Sequence, residues 1–486
     1  MPATPGRANS PACWAAWGLA FALILEVPWC SAGISADARI SGSLPPDGLR
    51  NFSLGGIFNM GLHKTFGAIK THMMPKANKR HIVNILRHFR FGVIFLAVIL
   101  GLHCMGTIPL KVPPGLMNTT PDAWTMLGGN PQHTHHSDTD VKPPLAVSWK
   151  RSIRSVIADH PLTVGPYILC FTWRGNLEIV DSETGDLLSV ERIGPALDHV
   201  PVLRYPDVYL GLTMGTKNLK RYDLQYAKTI YEVKMTNVTT APLLVGDRLY
   251  LGTHTGRVYC RQAATGDSVW SVKVNAPVYS SPALGDSLII TGTEKGLLLA
   301  LHPRTGIVVW QRPLQGALYT HPVTDTAHVY IGTTDGVFYA VNLSDGTIAW
   351  QQHLGSAIFS SAALYRQTVY VGTNGHQVVA FDARSGKIRW RTTFNGIVTA
   401  TPLATPRFVY VGCWDHYLYV LDRATGKIVA KQDVKAPIKT APIIYRKKLL
   451  VHAANEKLWA FTSQAPSREN VSRSPVTFFE KRRAKR

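Results

Sequence analysis

A forty-residue spacing runs through the body of this chain and restricts its fold more than any other feature. Trp270, Trp310, Trp350 and Trp390 stand one step apart, and Gly266, Gly306, Gly346, Gly386 and Gly426 keep the same step. A second glycine ladder passes through Gly252, Gly292, Gly332, Gly372 and Gly412. Prolines form another, at Pro282, Pro322, Pro402 and Pro442, with Ala362 in the vacant rung. Backwards it continues through Pro242, Pro201 and Pro161 with a one-residue slip. The tryptophan ladder likewise runs back through Thr229–Tyr231 and Ser189 to Trp149. Each of these two ladders has eight rungs. Such a period means an array of supersecondary units, none of which can bury its own face alone.

Within one unit the pattern is four short strands. Ala276–Leu284 is apolar and β-branched and breaks at Pro282, and Leu288–Thr293 follows the next turn. Leu297–His302 leads into Arg304-Thr305-Gly306, and Ile307–Arg312 carries the tryptophan. Thr-Gly, Asp-Gly and Ser-Gly pairs at this last junction suit a tight hairpin, because glycine supplies positive φ. The body shows no sustained 3.6-residue apolar period, so helix is expected only in the leader. Four strands of five or six residues, three hairpins and a crossover fill about 40 residues. That is a propeller blade. Leucine-rich repeats, with a period of roughly 20–29 residues, are too short.

The ends of the array predict how it closes. The last unit runs from Pro442 through Leu449–His452 to Leu458–Phe461 and stops before a tryptophan strand. Leu145–Arg151, around Trp149, is a tryptophan strand without a unit. The expectation is an all-β, eight-bladed propeller over residues 143–463, its last blade completed by the N-terminal strand so that no edge stays open.

Charge and cysteine place the flanks. The 486 residues carry +22, yet ten basic and three acidic residues fall in 1–110, and seven and two in 464–486. More than half the excess is therefore outside the repeats, where it suits a membrane surface at least as well as nucleic acid, and no nucleic-acid partner is expected. Residues 464–486 read as a basic, solvated tail. Cys13, Cys30, Cys104, Cys170, Cys260 and Cys413 form no CxxC, CxxCH or adjacent pair, which excludes zinc knuckles, thioredoxin-type sites and c-type haem. Cys260 stands where sister units carry Ala300, Ala340 and Ala380, the position of a small buried side chain.

Residues 73–110 resemble an export signal. Lys76, Lys79, Arg80, Arg87 and Arg90 precede the apolar run Phe91–Leu102, and Gly106 offers a small residue for cleavage. Extended to Leu110, residues 91–110 are long enough for a single membrane anchor, with everything beyond exported by the positive-inside bias. A second apolar stretch, Ala12–Leu25, makes residues 1–72 a doubtful leader, an artefact of the gene model if Met73 or Met74 is the true start. Gly101-Leu102-His103 before Cys104 does not resemble a lipobox. Residues 111–142 read as a linker into the propeller.

Ala380-Phe-Asp382-Ala-Arg-Ser385-Gly386-Lys387-Ile-Arg-Trp390 resembles the tryptophan-docking motif, AxDxxTGKxxW, of quinoprotein-type (PQQ-like) propellers. Val420–Ala430 keeps Asp422, Thr425, Gly426 and Lys427 but loses the tryptophan. His302 and Asn342 replace the aspartate in other copies, and Trp124 with Gly128-Gly129-Asn130 is similar to the family's lead-in segment. The resemblance covers roughly residues 124–463. It implies that the tryptophans are architectural, each covering a neighbouring blade over a glycine turn. Quinoprotein dehydrogenases of this family hold pyrroloquinoline quinone and Ca²⁺ on the axis, above an adjacent cysteine pair and beside a catalytic aspartate. This chain has no Cys-Cys pair, and its compact units leave no room for the insertions that build that pocket. It is more similar to the BamB-type outer-membrane assembly factors. The function this implies is a non-enzymatic exported scaffold, without cofactor, metal or catalytic residues. It would work as a monomer within a larger complex of envelope or outer-membrane assembly proteins, in the periplasm or on the outer side of the inner membrane. The alternatives are a quinone-dependent dehydrogenase and a small-ligand-binding propeller.

Residues just before each proline belong to the innermost strand. Asp159, His160, Asp198, His199, His321 and Lys439, with Ser280-Ser281, Thr320, Ser360-Ser361 and Thr440, are the candidates for lining the central channel. Tyr279, Tyr319 and Phe359 recur at one rung and read as packing between blades. His133, His135, His136 and Asp138 are dense enough for a metal but lie in a Pro/Gly/Thr-rich stretch that reads as a solvated loop. No GxSxG, GxxxxGK[ST] or HExxH motif occurs.

Overall fold

The computed structural model describes Val112 and residues 122–464. The leader, the 91–110 apolar segment, Cys13, Cys30, Cys104 and the basic tail beyond residue 464 lie outside the described residues. No helix among the described residues is long and apolar enough to cross a membrane.

Eight antiparallel four-stranded sheets follow one another along the chain. Blade 4 is typical, with strands Ala283–Gly285, Leu288–Gly292, Leu297–Leu301 and Val308–Pro313 running from axis to rim. Blade 8 closes the ring as expected. Its inner three strands come from the C-terminal end, and Leu145–Ser152 pairs with Lys457–Ser463 as the outermost. The first and last strands of the propeller thus lock each other.

The inner strand of each blade is shorter than the apolar run in the sequence. Ala276–Ser281 is not strand; only Ala283–Gly285 pairs, after Pro282. The residues before it are a crossover whose apolar side chain packs onto the previous blade. Here the second glycine ladder is explained. A methyl group on Gly252 would sit 2.4 Å from Val278 Cγ1, and one on Gly332 2.4 Å from Ile358 Cγ2. The same approach recurs at Gly292 with Leu318, Gly372 with Val398 and Gly412 with Ile438. Gly332→Ala is therefore expected to cost about 1–3 kcal/mol through overpacking, measurable as a lower urea midpoint with unchanged slope.

The tryptophans dock where expected. Trp310 Nε1 donates to Leu343 O at 2.7 Å, Trp350 to Ala383 O at 2.9 Å, and Trp390 to Arg423 O at 2.9 Å. Trp149 and Trp270 repeat the contact with Ser182 O and Pro303 O. Each indole lies over the hairpin glycine of the next blade. A methyl group on Gly346, φ +71°, would be 2.6 Å from Trp310, so the turn demands both glycine's φ and its missing side chain. Gly306, Gly386 and Gly426 sit likewise beneath Trp270, Trp350 and Trp390, whereas Gly266 meets Val233 and Tyr231 because no tryptophan stands at that rung. Cys260 is buried opposite Trp270 in its sheet.

Candidate functional site

The stretch from residue 122 to residue 141 is not a solvated loop. It crosses the end of the ring where the inner strands finish, and it touches every blade. Thr163, Leu203, Leu284, Thr324 and Leu364 donate backbone N–H bonds of 2.7–3.1 Å to Trp124, Thr125, Pro131, Gln132 and Thr134. Ala404 and residues 135–137 bond both ways, and Trp124 Nε1 reaches Ile444 O of blade 8 at 3.0 Å. Met126 packs against the side chains of blade 3. These contacts form because each short inner strand leaves its axial edge unpaired, and a buried N–H must find an acceptor. The segment is a plug.

The plug carries histidine into the hub. His133 and His135 are 3% and 1% exposed, which overturns their reading as solvated. His136 and Asp138 turn away, towards Thr134 and the Tyr365 hydroxyl. His135 lies against His160 at 5.7 Å between ring centroids and against Trp124 at 5.9 Å, and His133 lies 6.4 Å from His321. Ligand-capable atoms of His135, Asp159 and His160 fall within 4.8 Å of one another.

The channel candidates divide by register. His160 and His321 immediately precede their prolines and face the hub, while Asp159 and His199 are one residue further back. Asp198 and Lys439 lie one residue further back still, at the rung that Tyr279, Tyr319 and Phe359 occupy in other blades. There Asp198 accepts a hydrogen bond from the Thr213 hydroxyl, and Lys439 Nζ lies 4.1 Å over the Trp414 ring. The serine hydroxyls are spent on joining blades, whereas those of Thr320 and Thr440 donate within their own blades, to Gly332 O and His452 O. Ala241 N donates to Ser281 Oγ, Ser281 N to His321 Nδ1, and His321 N to Ser361 Oγ, each over 2.9–3.0 Å and forty residues. Ala441 N donates to Asp159 Oδ1 at 3.1 Å, continuing the relay across the seam between blades 8 and 1.

Burial decides protonation here. It lowers the pKa of His133 and His199 to about 4 and of His321 to about 3, and holds His135 well below 6.5. His160 is lowered and Asp159 raised by the same desolvation. Burial thus favours the neutral form of each of these hub groups, imidazole and carboxyl alike. Sequence reading missed His133 and His135 as hub groups. It also missed His452, whose two nitrogens are buried without partners beside a cavity of about 300 Å³ near Lys439 and Trp173.

At the opposite end of the axis, Tyr279, Tyr319 and Phe359 do bridge neighbouring blades, with centroids 5.3 and 6.2 Å apart. They are also accessible, Phe359 being 44% exposed. His254 Nδ1 and Glu294 Oε1 hold the two tyrosine hydroxyls, and the Glu294 bond pushes the Tyr319 pKa up to about 12. The result is an open aromatic crescent over three blades.

A family model described as "Outer membrane protein assembly factor BamB" matches residues 174–356, 256–396, 355–412 and 394–467. The chain belongs to this PQQ-like propeller family. No curated protein matches it in sequence. Among solved structures, BamB from Moraxella catarrhalis is 16% identical with a TM-score of 0.55, covering 65% of this chain and 99% of that one. A europium-containing methanol dehydrogenase is 13% identical with a TM-score of 0.60, covering 71% and 99%. Quinohemoprotein alcohol dehydrogenase from Comamonas testosteroni is 12% identical with a TM-score of 0.61, covering 72% and 82%. At such identities the likeness is one of fold.

The hub does not fit a calcium-bound quinone. Ca²⁺ takes 6–8 oxygen ligands, whereas these donors are chiefly imidazole nitrogens. Cys170, Cys260 and Cys413 are free, buried and in three different blades, so no cysteine pair underlies the axis among the described residues.

Proposed function

We propose that this protein is a non-enzymatic, exported scaffold that binds envelope proteins in the manner of a BamB-type outer-membrane assembly factor. It would lie in the periplasm or on the outer side of the inner membrane, tethered through residues 91–110, and act as one member of a larger complex. The observation that carries this reading is the plug. The chain's own backbone fills one end of the axis, which favours the aromatic crescent at the other end, together with the outer strands, as the recognition surface. Rigid aromatic groups held in place by their neighbours supply contact area at low entropic cost, as hot-spot residues do. The outer strands add exposed apolar side chains, with Val308 38%, Val309 49% and Val429 45% exposed. Each offers an unpaired edge to which an extended segment can add.

The full chain should retrieve barrel-assembly components from detergent-solubilised envelope. Tyr319→Ala with Phe359→Ala should reduce recovery about tenfold or more, in keeping with hot-spot losses of roughly 2 kcal/mol, without changing the thermal midpoint by more than a few degrees. Failure of the parent protein to recover such components counts against the assembly role. Incubation with quinone and Ca²⁺ should give neither stoichiometric quinone absorbance nor dye reduction with alcohols or sugars. Stoichiometric quinone with dehydrogenase activity would replace the scaffold reading with the enzymatic one.

A further inference from the structure

We propose that the hub holds one divalent transition-metal ion between His135, Asp159 and His160, fastening the plug to blade 1 at the seam where the ring closes. The three ligand atoms lie within 4.8 Å of one another and come from two backbone segments brought together only by the fold. His135 Nδ1 is buried and has no hydrogen-bond partner, and the same is true of His133 Nδ1 two residues away. Such atoms cost free energy unless something binds them.

The tautomer of His160 suits a ligand. Its Nδ1 lies 3.0 Å from Pro161 O and donates to it, while Nε2 accepts a long 3.2 Å bond from Gly128 N. An imidazole that donates from one nitrogen to a backbone carbonyl presents the lone pair of the other, which is how metal-bound histidines are oriented. Asp159 is held by the Ala441 amide through Oδ1. Two imidazoles and one carboxylate form a borderline donor set that selects zinc, cobalt, nickel or copper over magnesium or calcium. With Zn–N near 2.0–2.1 Å, tetrahedral ligand atoms stand roughly 3.3 Å apart. Closure on the ion therefore asks the side chains to move inward by about an ångström and displaces the Gly128 amide. The ion also supplies positive charge to a carboxylate that otherwise faces neutral rings.

The test uses the full, tag-free chain in detergent, stripped with a chelator and titrated with Co²⁺. One equivalent should bind, with visible d–d absorption, and the thermal midpoint should rise with Co²⁺ or Zn²⁺ but not with Ca²⁺. Asp159→Asn, which keeps an oxygen for the Ala441 amide, and His160→Gln should each weaken Co²⁺ binding about 100-fold. His254→Ala, on the crescent, should leave it unchanged. Binding far below one equivalent in the parent protein overturns the proposal, and that titration stands whether or not the variants fold. Folded Asp159→Asn and His160→Gln proteins that bind Co²⁺ as tightly as the parent overturn it as well. The readout involves no envelope partner, so its failure leaves the scaffold reading untouched.

Discussion

Trp310→Ala should lower the stability of the propeller by about 3–5 kcal/mol, the range for removing a buried aromatic ring. Trp310 is 8% exposed, lies on the turn at Gly346, and donates its indole N–H to Leu343 O. The substitution therefore opens a cavity between blades 4 and 5 and leaves a carbonyl without its donor. Trp173 offers the control. It is 60% exposed, and Trp173→Ala should shift stability by no more than about 0.5 kcal/mol. Urea denaturation of both variants separates the roles. Equal losses would mean that the ladder tryptophans are not what joins the blades.

Stability should also fall steeply as pH drops from 6.5 towards 4. In the unfolded chain a histidine takes its proton near 6.5, whereas His133, His199 and His452 resist it until about 4 and His321 until about 3. Below pH 6.5 the unfolded state thus binds more protons, and each such ring withdraws up to about 1.4 kcal/mol of stability per pH unit. The loss is complete once the native rings titrate. Groups facing them modify the slope. Asp159 and Asp198 favour imidazolium on His160 and His199, and Asp138 does so for His136. The raised pKa of Asp159 acts in the opposite sense, because there the native state holds the extra proton above the usual carboxylate range. The thermal midpoint at pH 5 should lie about 10 °C or more below that at pH 7, at 2–4 °C per kcal/mol. His321→Gln, which keeps an acceptor for Ser281 N, should flatten the dependence. A midpoint constant between pH 7 and 5 would show that the hub imidazoles are not sealed from water.

The blades were legible in the sequence because their signals are side chains at fixed spacing. Trp149 without a unit and a last unit that stops before its tryptophan-ladder strand are enough to deduce the closure. The plug was not legible, since its bonds to the inner strands are mostly made by backbone atoms, such as Leu284 N to Pro131 O, and these leave no trace in residue type. The burial of His133 and His135 follows from that path and not from their neighbours. Register misled in a smaller way. Asp159-His160 and Asp198-His199 look equivalent, yet Pro201 follows its pair one residue later than Pro161 does, so Asp198 moves to the rung of Tyr279 and Tyr319. Lys439 moves to that rung for the same reason. Its ammonium finds the Trp414 face there, a contact between blades that forty-residue spacing does not announce.

Amide hydrogen exchange at neutral pH reads the sealed hub most directly. The amides of Thr163, Leu203, Leu284, Thr324, Leu364 and Ala404, whose acceptors belong to residues 124–135, should exchange as slowly as those in the middle strands of the blades. Rapid exchange at these six positions, beside slow exchange in the strands around them, would mean that the axis stands open and that residues 122–141 do not close it.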